Sequence, residues 1–372
     1  MAVVIDLKDT AISITVNLSG IPANEAGFGT VLYASPSVTP VGANLIDTYT
    51  YATHTTALAA AVTAGALTQD VADDITAAFA QSPHPTTIKA GELPVLASPS
   101  TLAVDLAALA AEDNDWYGLV IDLDTCATAA IKSANIVAAA AWVESQMKVC
   151  VCQTDDVDVY NPALDTDPFS LEQALAHEHT AGIWSQLIGG PPGTTEQPSD
   201  LCAICRWLAF DPDLISAPFR AQVGGQIRCR ISATGIDLSA AEIAAVKAKN
   251  GNVLQLYGSA AAFLDEGINF AGRAFEEVLS GHWLESRIRS DIATQAVAVA
   301  NRGEKWPLNE VGAAYLAAIV NRRLQQGVNA NHFESFTPGS YTINTTTKTI
   351  TYAARALYLD NAIAFSVTVN FD

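Results

Sequence analysis

Tyr117-Gly118-Leu119-Val120-Ile121-Asp122-Leu123 is a continuous apolar strand, Ala127 to Met147 a long helix, and Lys148-Val149-Cys150-Val151-Cys152-Gln153 a second strand. A helical crossover between two such strands implies parallel pairing with both sheet faces covered. The chain is therefore α/β at its centre. The turn that leaves the first strand, Asp122-Leu123-Asp124-Thr125, carries no glycine fingerprint and is acidic where a phosphate would sit. This layer has no nucleotide site.

Towards the N-terminus, Phe28 to Tyr33 reads as a strand, preceded by a break at Ser19-Gly20 and Pro22. Ala57 to Ala80 reads as helix broken near Gly65, with Val71, Ile75, Ala78 and Phe79 on one face. Gln81-Ser82-Pro83-His84-Pro85 ends it, since each proline disfavours helix in the residue before it; Thr86 to Ile88 is extended. Towards the C-terminus come an acidic loop, Asp155 to Asp167, and a Pro/Gly/Thr-rich stretch, Gly189 to Asp200, read as a domain boundary or exposed excursion. Cys202 to Phe210 reads as a short helix and Gly224 to Ile231 as a strand. Ser239 to Lys249 is a helix whose Ser239 and Glu242 form a capping box, and Val253 to Tyr257 is extended. Helices follow at Phe275 to Asn301 and Asn309 to Gln326, then a threonine-rich hairpin from Tyr341 to Tyr352.

The two ends of the chain are near-copies of one another. Ile12-Ser13-Ile14-Thr15-Val16-Asn17-Leu18 places Ile12, Ile14, Val16 and Leu18 on one face. Ile363-Ala364-Phe365-Ser366-Val367-Thr368-Val369-Asn370-Phe371 places Ile363, Phe365, Val367, Val369 and Phe371 on one face. Strict alternation and β-branched residues mark half-buried strands. A terminal strand leaves backbone donors and acceptors unpaired unless it joins a sheet. Two readings follow: both tips close the sheet of their own domain, or each adds to the sheet of a neighbouring copy.

At 372 residues the chain has room for two or three domains, and with half its residues hydrophobic and 16% charged it is not disordered. No apolar run reaches membrane-spanning length, Asn135 to Val143 being the nearest, so membrane insertion is not expected. Asp6, Lys8 and Asp9 interrupt the N-terminus, so a signal peptide is not expected either. The net charge of -20 is uneven: residues 1–200 hold four basic and 24 acidic side chains, residues 201–372 hold 15 of each. A strongly acidic half repels phosphate backbones and excludes direct nucleic-acid binding.

Several blocks, taken in order, resemble contractile bacteriophage tail sheath proteins. Ala77-Ala78-Phe79-Ala80-Gln81-Ser82-Pro83-His84-Pro85 resembles the alanine-rich helix and its proline stop in that family. Asp115-Trp116-Tyr117-Gly118-Leu119-Val120 followed by Ala141-Trp142-Val143-Glu144 is similar to its α/β unit, and Trp207-Leu208-Ala209-Phe210-Asp211-Pro212-Asp213 to the segment before its C-terminal domain. Gly251-Asn252-Val253, Gly267, Gly272, Trp283-Leu284 and Glu310-Val311-Gly312 match that domain in order and spacing. The resemblance runs from about residue 45 to the end. It departs at His177-Glu178-His179-Thr180, where the family shows an arginine-threonine strand, and at Phe275-Glu276-Glu277, where an aspartate is common.

The resemblance implies a multi-domain α/β fold with a parallel layer, a C-terminal α+β domain and extended N- and C-terminal β arms. The expected division is an N-terminal arm at 1–20, an acidic outward-facing region at 21–200, a tube-facing core at 201–355 and a C-terminal arm at 356–372. It implies a structural subunit, with no catalytic residues, cofactor or metal, that polymerises helically around an inner tail tube. Contraction would drive the tube through the host envelope for genome delivery. The implied partners are further copies of the chain, the inner tube protein, and baseplate and tail terminator proteins; the implied location is the virion tail, assembled in the host cytoplasm. A related injection machine such as a tailocin is the second alternative setting. Arg322-Arg323, at the end of the Asn309 to Gln326 helix, would meet acidic groups on the tube, or be a solvated helix end.

The remaining candidates are reactive side chains. Cys126, Cys150, Cys152, Cys202, Cys205 and Cys229 read as small buried hydrophobes, as a zinc set, or as disulfides between subunits that persist in oxidising medium. A C-x-C on a strand fits zinc poorly. His177-Glu178-His179 lacks the H-E-x-x-H spacing of a helical zinc site and reads as a surface or turn cluster. No nucleophile elbow, Walker loop or dinucleotide fingerprint occurs. The alternative function is a soluble α/β hydrolase or metal-binding enzyme using the histidine and cysteine clusters.

Overall fold

The computed structural model describes residues 12–17, 27–40, 42–96, 99–185, 198–219, 238–257, 261–264, 266–346, 349–358 and 361–370. In chain order the first elements are β1 (Ile12–Asn17), β2 (Thr30–Ser35), β3 (Ile46–Thr50), α1 (His54–Ala64), α2 (Gln69–Phe79), β4 (Thr87–Glu92), α3 (Leu102–Glu112) and β5 (Gly118–Ile121). Next come α4 (Ala129–Glu144), β6 (Val149–Thr154), α5 (Pro168–Leu175), β7 (Thr180–Trp184), α6 (Ser199–Leu208), α7 (Ala240–Ala248), β8 (Asn252–Tyr257) and β9 (Ala261–Leu264). The last are α8 (Phe275–Asn301), α9 (Glu310–Asn329), β10 (Ser335–Asn344), β11 (Thr349–Tyr358) and β12 (Asn361–Asn370). The chain divides into two compact units, one of Ala26–Asp211 and Ala217–Val278, the other of Met1–Glu25, Pro212–Ser216 and Leu279–Asp372.

The first unit is built on an eight-stranded sheet of order β3-β4-β2-β5-β6-β7-β8-β9. From β4 to β8 the strands are parallel, as the crossover helix α4 requires of β5 and β6. Antiparallel β3 and β9 finish the two edges. One face lies under α3 and α4, where Leu106, Leu109, Ile136, Ala139 and Trp142 join Leu32, Leu119, Ile121, Cys150 and Cys152 in one buried core. The other face lies under α6: a Cβ added to Gly118 would come within 2.7 Å of Ile204 and 2.8 Å of Leu208. Glycine keeps that helix close. Gly182 in β7 does the same for Phe270 and Phe169, whose rings meet edge-on at 5.3 Å.

Local chemistry sets the element ends. Gly65 takes a left-handed φ of 74° and separates α1 from α2, the break expected near that residue. Asp167 caps α5 through the amides of Phe169 and Ser170, with Pro168 in the first turn. The Ser239/Glu242 capping box is present at α7. Two expectations are corrected. A boundary near residue 200 falls inside the first unit, because β8, some fifty residues later, returns to the same sheet beside β7. The C-terminal hairpin is also longer than Tyr341 to Tyr352, since β10 and β11 pair from Ser335↔Leu357 to Asn344↔Thr349. The strand expected at Gly224 to Ile231 lies outside the described residues.

The second unit is a four-stranded sheet, β1-β12-β11-β10, with α9 packed on β10 and β11. Ile350, Tyr352, Ala354 and Ala356 of β11 are buried, and the Tyr352 hydroxyl donates to Asn321 Oδ1 at 2.8 Å. Asp213 accepts from Trp283 Nε1 at 2.9 Å and from Arg287 Nε and Nη2 at 2.9 and 2.7 Å. His332, fully buried and stacked on Trp283, donates from Nε2 to the Pro212 carbonyl at 2.7 Å; its Nδ1 accepts from Ser280 Oγ at 2.8 Å. Burial holds this imidazole down at about 4, so it is neutral.

Candidate assembly interface

The two tips meet in one sheet. β12 pairs antiparallel with β11 from Thr349↔Asn370 to Tyr358↔Asn361, and β1 lies parallel on its other side from Ile12↔Phe365 to Asn17↔Asn370. Within the single chain both tips thus lie in the chain's own sheet, one of the two arrangements the alternation allowed. Ile12, Ile14 and Val16 take alternate positions in β1, and Ile363, Phe365, Val367 and Val369 alternate positions in β12. Leu18 and Phe371 lie outside the described residues. The sheet's two edges differ. β10 carries Pro338, which has no N–H, and shifts register between Thr337 and Ser340, the devices that blunt an edge strand. β1 carries no proline.

Arg322 and Arg323 both converge on Asp291 of α8. Arg323 grips its two oxygens at 2.6 and 2.7 Å and also reaches Gln326, while Arg322 donates one bond at 2.7 Å. Burial alone would raise the Asp291 carboxyl; the two guanidiniums outweigh it and hold it below the usual range. The side chain of Arg322 remains 65% exposed against 20% for Arg323. Of the doublet, Arg322 is the side chain a partner can reach.

Four of the cysteines, Cys150, Cys152, Cys202 and Cys205, do not fit cross-links between copies. Cys126, Cys150, Cys152, Cys202 and Cys205 are free thiols, and all but Cys126 are buried. Cys150 and Cys152 point to the same side of β6, as strand alternation requires, but that side is the core under α3 and α4. Burial pushes the thiols of all four up, away from reactive thiolate. A buried sulfur cannot reach another subunit. Cys229 lies outside the described residues. His177-Glu178-His179 is a turn entering β7, with His177 Nδ1 2.6 Å from Glu172 and Glu178 buried near Arg273.

Sequence reading missed one feature. At the C-terminal ends of β2, β5 and β6, where the chain reverses direction across the sheet, a cavity of about 40 Å³ is lined by Tyr33, Asp74, Asp122, Asp124, Lys132, Asp155 and Asp200. Open α/β sheets place their crevices at such switch points. Burial raises the Asp74 carboxyl to about 8, although the Tyr33 hydroxyl donates to it at 2.7 Å, and raises Asp200 to about 7. Only the acidic turn Asp122-Leu123-Asp124 signalled it in the sequence. Among the described residues no group of three histidine, cysteine, aspartate or glutamate side chains is placed to hold a metal ion. The serine–histidine pair Ser280–His332 is closed to substrate, both side chains being fully buried. Among the described residues no helix is long and apolar enough to cross a membrane.

No protein-family model matches the chain, and no curated protein matches it. Solved structures do. A chain in the cryo-EM structure of the anti-feeding prophage baseplate is similar with a TM-score of 0.62 at 11% identity, over 96% of each chain. The sheath tail protein of Desulfitobacterium hafniense gives 0.59 at 10% identity, over 96% of this chain and 99% of that one. The sheath tail protein of Listeria innocua gives 0.51 at 10% identity; 77% of this chain is matched, and it spans 61% of the Listeria protein's length. The chain has the mixed α/β fold of sheath tail proteins.

Proposed function

We propose that the protein is a structural subunit of a contractile tail sheath, polymerising helically around an inner tube and contracting to drive that tube through a host envelope. The observation that carries this reading is the four-stranded sheet completed by both ends of the chain, within a fold shared end to end with a sheath tail protein. A strand joined to its unit only at the far end of a long chain is the kind of element that domain swapping exchanges between copies. In a helical array each copy would then be tied to its neighbours by backbone hydrogen bonds that survive rotation and sliding of the rest. No catalytic residue is assigned. The work comes from rearranged contacts between copies as a two-state lattice falls to its lower-energy form.

The acidic first half faces outward and the balanced second half faces the tube, with Arg322 as the reachable contact. The remaining partners are the baseplate and tail terminator proteins, and the setting is the virion tail, assembled in the host cytoplasm. The test is negative-stain microscopy of the purified chain with and without its tube protein. Sleeves of uniform diameter that shorten on treatment with urea or acid are expected; a small globular oligomer under every condition contradicts the proposal. Reversing the charge of Arg322 alone should reduce sleeve formation on tubes, and unchanged assembly removes the tube contact.

A further inference from the structure

The cavity at the C-terminal ends of β2, β5 and β6 has no part in the proposed assembly. Carboxyls reach it from three separate elements: Asp74 from α2, Asp122 from the turn after β5 and Asp200 from the first turn of α6. Asp124 lies on the same turn as Asp122, and Asp155 follows β6. Among the described residues Lys132 of α4 is the one cation in the lining. It is turned to Asp155 at 3.3 Å and to Asp124 at 3.8 Å. α2 packs on α6, and α6 covers β2, β5 and β6, so two helices that rest on one another both send a carboxyl into one space. At about 40 Å³ that space has room for a few waters at most.

The hydrogen bonding there does not suit three negative charges. An ionised carboxylate has about four acceptor sites. Asp74 Oδ2 accepts from the Tyr33 hydroxyl at 2.7 Å and Asp200 Oδ1 from the Leu201 amide at 2.7 Å, one bond apiece among the described residues. Asp122 is better served, by the Ser35 hydroxyl at 2.6 Å and the Asp124 amide at 3.0 Å. A place in the first turn of a helix favours charge on Asp200, but burial outweighs it. Burial first, and the neighbouring carboxylates after it, keep the proton on Asp200 to about 7 and on Asp74 to about 8. The Tyr33 hydroxyl and the Cys202 thiol of α6 are raised by burial and stay neutral over this range. The start of α6 is lightly anchored: Pro198 gives it no side-chain cap. Its first turn is held by the Ser199 amide donating to Gln153 Oε1 at 2.7 Å and the Ser199 hydroxyl donating to Ser185 Oγ at 2.9 Å.

We propose that the cavity is a proton-operated latch: protonated Asp74 and Asp200 let α6 close on α2, and release of their protons to solvent drives the first turn of α6 away from α2 and the sheet. Once open, each carboxylate regains water and an ordinary proton affinity. A closed form that holds protons more tightly than the open one is favoured most below about 4 and loses ground as pH rises to about 8. The latch is shut in acid and eases in mild alkali. α6 is the last helix before the chain passes, at Pro212, into the second unit, so the latch acts on one covalent route between the two.

The test is hydrogen–deuterium exchange of the unassembled full chain between about pH 5 and about pH 8, read by peptide and corrected for the intrinsic rate. Each proton released on opening makes the opening constant rise about tenfold per pH unit. Peptides covering the first turn of α6 are expected to gain exchange by about tenfold or more per unit, and to run well ahead of β5 and β6 of the same sheet. Exchange that does not change with pH overturns the latch. Exchange of α6 at the same rate as β5 and β6 at every pH also overturns it, because the whole unit then opens together. In the chain carrying Asp74→Asn and Asp200→Asn the dependence should be lost, and each single variant should remove about one proton's share of it. A dependence that persists in the single variants overturns the assignment to these two carboxyls, whether or not the double variant folds.

Discussion

The two sheets are finished in opposite ways. The eight-stranded sheet is closed within residues 26–278: its parallel strands are buried under helices, and an antiparallel strand ends each side. The four-stranded sheet draws strands from both ends of the chain, exposes most of β10, and has one edge blunted by Pro338 while β1 forms the other. The first needs nothing from outside. Under the proposed function, the second joins copies by strand exchange. Under that reading, the difference separates what makes the chain stable from what joins it to other copies.

The comparison is broken most strongly at Gly182. Its missing Cβ is the space occupied by Phe270 and Phe169, at 2.5 and 2.6 Å, so Gly182→Val overfills the closed sheet. A loss of about 3 kcal/mol or more is expected in chemical denaturation; a loss below about 1 kcal/mol would show that the aromatic pair has room to move.

In the second unit the sensitive point is His332. An unfolded histidine takes up its proton near 6.5, whereas the buried native one resists to about 4. The unfolded state therefore binds more protons in that window, and stability, complete above 6.5, falls as pH drops towards 4, by about 3 kcal/mol in all. His332→Asn should be less stable at pH 7 but lose less on acidification than the parent. Parallel pH profiles would assign the acid sensitivity elsewhere.

Asp74 in the first unit has the opposite sign. Asp74 ionises near 4 when unfolded but keeps its proton to about 8 when folded. Its contribution is complete below the unfolded value and is lost as pH rises between the two. Asp74→Asn, which still accepts from Tyr33, should stabilise the first unit at pH 8, and the gain should vanish at pH 4. Thermal melts at the two values check this.

What the sequence disclosed follows from what is local. Continuous apolar runs around an uninterrupted helix located β5, α4 and β6, and Ser239 with Glu242 located the start of α7. The alternation of the tips located β1 and β12 to within two residues. What stayed hidden depends on distant partners. Nothing near Arg323 announces Asp291, which lies 32 residues earlier on another helix. The alternation of Cys150 and Cys152 put both on one side, but only the packing of α3 and α4 buries that side. Asp74 and Asp200 are ordinary aspartates until β2, α2 and α6 bring them to one cavity. The boundary was misplaced for the same reason, since a Pro/Gly-rich stretch marks an excursion and not whether the chain returns to the same sheet.

The central claim is that the tips join copies. Its most direct measurement compares the full chain with one lacking residues 1–20 and 359–372, by negative-stain microscopy and sedimentation under assembly conditions. The account predicts sleeves from the full chain and, from the shortened one, monomers with undiminished helix content. Sleeves of normal diameter from the shortened chain would contradict it.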